Sequence, residues 1–312
     1  MTNYAADNSA DDKGIGSAKN FTPVDGWTPG NLDFFTVPQR RFTEDEHDTW
    51  KTLYQRQTKI LPGRAINMFM DSLSTLGINQ DRIPDFVEVN EILMKRTGWQ
   101  VVPVPGLIPD EPFFELLANR RFPAGNFIRQ KDQLDYIQEP DVFHDLFGHV
   151  PILADATFAN YMEEYGKGGL KAAKLGQISK LARLYWYTVE FGLIQEPEGL
   201  RIYGAGILSS PTESVFALES DSPHRIKFDL KRLLQTRYQI DDFQDNYFVI
   251  DSFKQLFDET LPDFAPLYKE LEGKPEHKAG TLLETDNAVT KGTGTYAIAA
   301  ERKRAARRAS QK

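Results

Sequence analysis

Helix-stop signals recur along this chain and divide its helical pattern into separate segments. Thr43 followed by Glu46 is a capping-box pattern that opens a helix through Trp50, Leu53 and Tyr54, and Pro62-Gly63 ends it. The pattern predicts further helices from Arg64 to about Leu76, stopped by Gly77, and from Phe86 to about Arg96, stopped by Gly98. Residues 111–120 also read as helix, and 177–194 and 243–261 carry strong helical periodicity. Trp99 to Val104 is β-like but contains Pro103, so at best it is a short edge strand. Tyr203-Gly204-Ala205-Gly206 reads as a tight turn. The expected fold is mainly α with a few short β-strands, a single domain over about 41–272 with a continuous core.

The two ends read differently. Residues 1–40 mix Asp, Gly, Asn, Ser and Pro, with Leu32 to Val37 as the only concentrated apolar piece, and are expected to form a flexible arm. Residues 273–312 are polar and end in Arg302, Lys303, Arg304, Arg307, Arg308 and Lys312; a disordered basic tail that buries nothing is expected, so deleting 280–312 should leave turnover nearly unchanged. A formal charge of -8 argues against nucleic acid as a partner, and no apolar run approaches the roughly 20 residues of a membrane span. The polar start Met1 to Asn20 has no apolar signal-peptide region, so a cytoplasmic protein is expected. The sequence has no cysteine, and any metal must therefore be held by histidine and carboxylate.

Two of the five histidines, His144 and His149, fall in one segment, Asp141-Val142-Phe143-His144-Asp145-Leu146-Phe147-Gly148-His149-Val150-Pro151. On an ideal α-helix five residues rotate a side chain by about 140°, so the pair cannot share one α-helical face. Pro140-Asp141 suits a helix entrance, which would let His144 converge on His149 from an irregular turn, with Asp141 near enough to hydrogen-bond the ring of His144. Taken alone, the pair fits two hydrogen-bonded core histidines as well as a metal site. Glu190, within Tyr185-Trp186-Tyr187-Thr188-Val189-Glu190-Phe191-Gly192, lies either on a solvent-facing stripe or beside a compelling partner, because an unpaired buried charge is costly. Two histidines and a carboxylate with open coordination positions form the facial triad of non-haem Fe(II) oxygenases.

These strings, together with Tyr203-Gly204-Ala205-Gly206-Ile207-Leu208-Ser209-Ser210, Tyr54-Gln55-Arg56-Gln57 and Leu61-Pro62-Gly63-Arg64, closely resemble the pterin-dependent aromatic amino acid hydroxylases, over about residues 40–272. The short bacterial phenylalanine hydroxylases are the most similar type. The resemblance implies His144, His149 and Glu190 as Fe(II) ligands, with a tetrahydropterin and O2 as the other reactants. It implies that Gly106, Leu107 and Ile108 form a pterin-binding loop, that Phe113 stacks on the pterin, and that Asp145 and Tyr185 line the same space. It also implies that Arg129 binds the substrate carboxylate and that Trp186, Phe191, Ser209 and Ile240 form the substrate pocket, with Ser209 orienting His144. Pro109-Asp110 and Ile137 replace hydroxyl-bearing residues of animal members.

The implied activity is hydroxylation of L-phenylalanine to L-tyrosine, the opening step of phenylalanine catabolism. No counterpart of the animal regulatory domain is recognised in the first 40 residues and the tail lacks an apolar heptad, so a monomer is expected. A zinc hydrolase is a poorer reading, since the pair lacks the i, i+4 spacing and intervening Glu of helical zinc proteases. A metal-stapled interaction protein would have a coordinatively closed site. A 2-oxoglutarate oxygenase would need a strand-rich double-sheet body, which this helical pattern does not offer.

Overall fold

The structure is a computed structural model that describes residues 26–300 and 302, apart from 136, 138 and 241. The expectations for residues 1–25 and for the basic cluster from Lys303 to Lys312 lie outside the described residues. Helix α1 spans Glu44–Ile60 and opens with the anticipated box: Thr43 Oγ1 accepts from the Glu46 N–H, and Glu46 Oε2 accepts from the Thr43 N–H at 2.8 Å. Trp50, Leu53 and Gln57 form its buried face. Helix α2 covers Asn67–Thr75, starting later than the sequence pattern suggests. The backbone of Arg64 and Ile66 instead bonds that of Ile202, so these residues cannot join the helix. Helix α3, Phe86–Thr97, is capped by Asp85 and ends at Gly98 in the left-handed region (φ 74°), where glycine carries no Cβ penalty.

Strand β1 (Gln100–Val104), helix α4 (Asp110–Ala118) and strand β2 (Arg121–Gly125) form a parallel crossover unit, and Pro103 is tolerated because this sheet has only two strands. Helix α5 (Ala156–Lys174) lies directly on α4: a Cβ on Gly169 would stand 2.1 Å from the Phe114 ring. The remaining elements are α6 (Ile178–Tyr185), β3 (Leu193–Glu196), β4 (Gly199–Ile202), α7 (Ala205–Leu208), α8 (Pro211–Glu219), β5 (His224–Lys227), α9 (Leu230–Leu234), β6 (Asn246–Ile250), α10 (Phe253–Thr260), α11 (Ala265–Leu271) and β7 (Ala288–Thr290). Five strands form a mixed sheet in the order β4-β3-β6-β5-β7, with β6 parallel to both neighbours. One large cluster that includes Trp50, Phe69, Phe143, Phe147, Tyr187 and Phe248 forms the main core, and a second, smaller cluster of Phe35, Val102, Val104, Ile108 and Leu116 stands apart from it, so the core is not continuous as expected; half-buried Phe113 packs against both. No helix among the described residues is long and apolar enough to cross a membrane.

Several expectations need correction. The segment 177–194 is not one helix, because it widens at Trp186 and gives way to β3 at Leu193. The segment 243–261 holds β6 ahead of α10; all five residues of β6 are buried, and a short apolar run buried on both faces cannot be told from a buried helix by periodicity. The tail is not wholly unstructured, since β7 pairs antiparallel with β5 and Tyr296 packs its ring on Phe216 and Phe243. An open strand edge needs backbone partners, and a polar segment supplies them as well as an apolar one. At the other end Phe35 is buried beside Val102, Val104, Ile108 and Leu116, so part of the expected arm is packed.

Candidate active site

Both segments that carry the candidate metal ligands are π-helical turns. His144–His149 is one, and Trp186–Glu190 continues α6 as the other, closed by the Phe191 N–H donating to the Trp186 carbonyl at 2.8 Å. In a π turn the hydrogen bond reaches i+5, so residues five apart stand on one face. This wider turn, rather than an irregular helix entrance, brings the pair together: the two Nε2 atoms are 3.0 Å apart. Glu190 Oε1 lies 3.2 Å from His149 Nε2 and Glu190 Oε2 lies 3.5 Å from His144 Nε2. One ligand atom from each of the three lies within 4.8 Å of the others, a spacing and donor set that fit one divalent cation.

The electrostatics agree with that fit. Burial opposes ionisation of Glu190, but His149 and His144 outweigh it and hold the carboxyl far below its usual range. Burial disfavours a charged His144, and Glu190 more than compensates, raising its value. The imidazole of His144 is oriented by Ser209, whose Oγ lies 3.0 Å from Nδ1 and donates its own proton to the Ala205 carbonyl at 2.8 Å. With that proton committed, Ser209 accepts from Nδ1–H, and the Nε2 lone pair is turned toward the triad.

Asp141 does not support the ring of His144 as anticipated. It is fully buried, accepts the His144 backbone N–H at 3.0 Å, and forms a two-point ion pair with Arg129 at 2.9 Å on each arm. Burial pushes the Asp141 carboxyl upward, and Arg129 more than reverses this. Asp141 therefore ties the start of the histidine turn to Arg129. Close packing of α7 completes the frame: a Cβ on Gly206 would stand 3.2 Å from Glu190 Oε2, and one on Gly204 would stand 2.4 Å from the Glu190 carbonyl oxygen.

A cavity of about 530 Å³ opens over the triad. The residues expected on the pterin side, Gly106, Leu107, Ile108, Phe113, Asp145 and Tyr185, all line it. So do Arg129, Trp186, Phe191, Ser209 and Ile240, the residues expected on the substrate side. Phe113 and Tyr185 meet edge to face at 5.8 Å, and Asp145 Oδ2 accepts the Gly125 N–H at 2.7 Å while burial pushes its carboxyl up to about 6. Trp186 lies between Tyr238, stacked at 4.4 Å, and Phe191 at 4.8 Å.

Tyr238, Asp242 and Glu213 also line the cavity, and the sequence reading assigned them no role. Glu213 follows the capping residue Ser210, where an acidic side chain is ordinary, so its sequence context carries no signal. The remaining histidines stay outside the site: His47 Nδ1 accepts from the Ile83 N–H and His224 Nδ1 from the Gly292 N–H, while the His277 backbone bonds those of Gln235 and Arg237, on either side of Thr236.

Comparison with known proteins agrees with this geometry. Residues 34–271 match the biopterin-dependent aromatic amino acid hydroxylase family. The chain is 60% identical over 256 residues to the phenylalanine-4-hydroxylase of Ralstonia nicotianae, covering 82% of each protein. It is 60% identical over 260 residues to that of Chromobacterium violaceum, covering 83% of this chain and 88% of the relative. A crystal structure of the Chromobacterium violaceum phenylalanine hydroxylase with bound oxidised Fe(III) superposes with a TM-score of 0.81 at 58% identity, covering 85% of this chain and 97% of that one. With its family fold and a His-His-Glu triad beneath an aromatic cavity, the chain belongs to the biopterin-dependent aromatic amino acid hydroxylases.

Proposed function

We propose that this enzyme converts L-phenylalanine to L-tyrosine, using O2 and a tetrahydropterin at Fe(II) held by His144, His149 and Glu190. The observation that carries the reading is the triad on the floor of a cavity with aromatic walls and a buried guanidinium at one side. Iron and the pterin supply the reduction of O2, which no side chain in the cavity can perform.

The residues of the chain bind, orient and exclude water. Arg129 is held by Asp141 through Nε and Nη2, and its remaining donors serve the substrate carboxylate. Trp186 and Phe191 flank the substrate ring, and Ile240 adds an apolar surface that offers a phenol hydroxyl no partner. Burying such a hydroxyl unpaired costs about 1 to 3 kcal/mol. Ile240 is 44% exposed, which places its effect at the lower end, near tenfold discrimination against L-tyrosine. The backbone of Gly106, Leu107 and Ile108 would hold the pterin, with Phe113, Asp145 and Tyr185 lining its space. The same reading has the enzyme acting as a cytoplasmic monomer.

The test is anaerobic loading with Fe(II) followed by O2 uptake with L-phenylalanine, with and without a tetrahydropterin. Tyrosine formation that requires both metal and pterin is expected. Turnover independent of the pterin, or none with both present, would overturn the proposal.

A further inference from the structure

Gln244 does not line the cavity, yet it holds two parts of the cavity wall together. It precedes β6, is 1% exposed, and its carboxamide is engaged at both ends. Oε1 accepts the indole N–H of Trp186 at 2.9 Å, and Nε2 donates to the carbonyls of Gln239 at 2.8 Å and Asp242 at 3.3 Å. The orientation of the amide is dictated by its partners, since an indole nitrogen can only donate and the carbonyls can only accept. Its own backbone N–H donates to Glu213 Oε1 at 3.2 Å, and Tyr247 donates its hydroxyl to the same oxygen. Gln244 is thereby anchored to both α8 and β6.

Tyr238, stacked on Trp186, and Phe191, tilted against it, limit tilting of the indole but leave it free to slide and rotate in its own plane. The in-plane bond to Gln244 removes that freedom. The two carbonyls bonded by the same amide flank Ile240 in the chain, so one side chain sets both the Trp186 wall and the Ile240 edge. We propose that Gln244 is a positioning residue that acts through Trp186 to fix the width of the aromatic pocket, and so selects phenylalanine over larger aromatic amino acids. This rests on the reading of the function given above.

Gln244→Met keeps the side-chain length and removes all three bonds; Gln244→Asn keeps an amide for the buried carbonyls but falls one methylene short of the indole. The measurements are KM and kcat for L-phenylalanine and L-tryptophan, tyrosine formed per tetrahydropterin oxidised, and iron stoichiometry. In either variant the kcat/KM ratio of phenylalanine to tryptophan should fall at least fivefold, mainly through a higher KM for phenylalanine. The yield of tyrosine per pterin should drop while full iron loading is kept. In a Trp186→Phe background, which has no indole donor, the same change at Gln244 should move the ratio less than twofold. An unchanged ratio in folded Gln244→Met or Gln244→Asn would overturn the proposal, and so would a full-sized effect in the Trp186→Phe background. Turnover of L-phenylalanine by the unmodified enzyme separately checks the underlying function.

Discussion

Ser209 and His144 are joined in a directed way: the Ser209 hydroxyl gives its proton to the Ala205 carbonyl and so receives one from His144 Nδ1, 3.0 Å away. That bond fixes both the tautomer and the ring plane of His144, a proposed metal ligand. Groups that orient ligating histidines typically contribute about 10- to 100-fold to metal affinity.

Ser209→Ala should therefore weaken Fe(II) binding by about 10- to 100-fold in chelator competition while the helical circular dichroism stays intact. Removing a ligand is more severe. His149→Ala should abolish stoichiometric iron binding and tyrosine formation, and full activity in that variant would rule out the triad.

Glu213 imposes a pH dependence on stability. Burial, which is the dominant cause, lifts its carboxyl from 4.5 to about 7, with Asp242 and Asp245 adding to the rise and the bonds from Tyr247 and Gln244 opposing it. Arg225 faces Tyr247 from β5. Because the value in the folded state is the higher one, the folded protein binds more protons than the unfolded chain between about pH 4.5 and 7. Stability from this group is thus lost as pH rises through that window, by about 3 kcal/mol at its upper end. Glu213→Gln should flatten urea-unfolding stability over this range relative to the parent. A parallel pair of profiles would show that Glu213 does not titrate there.

Substrate choice should respond to Ile240. The parent enzyme is expected to favour L-phenylalanine over L-tyrosine by about tenfold in kcat/KM, and Ile240→Asp should narrow the gap through loss of phenylalanine activity. Equal turnover of the two amino acids by the parent would refute this role.

The C-terminal segment should matter for stability, contrary to the reading of its composition. β7 covers the edge of β5, and Tyr296 rests on Phe243, which lines the cavity, while its hydroxyl bonds Asp242. Deleting 280–312 should cost about 1 to 3 kcal/mol, lowering Tm by roughly 3 to 10 °C, and should raise KM for phenylalanine. An unchanged melting curve would mean that this packing contributes nothing.

Much of the chemistry was legible in the order of residues. The capping box at Thr43 and Glu46 and the glycine stop at Gly98 depend on local backbone geometry, so α1 and α3 form where the sequence places them. His144, His149 and Glu190 stand out because few residue types can ligate iron in a chain without cysteine. What the tertiary structure decided depends on partners distant in the chain. An apolar run such as Tyr247-Phe248-Val249-Ile250 becomes a strand because β3 and β5 flank it. The π turns that align the triad, rather than α-helical turns, stand against α7, where glycines let the backbone approach. Asp141 turns to Arg129 rather than to the His144 ring because a buried guanidinium requires a carboxylate, and Ser209, 65 residues further on, takes the ring instead. Local signals determine which groups are present and where helices begin; long-range burial and the pairing of buried polar groups decide which of those groups meet.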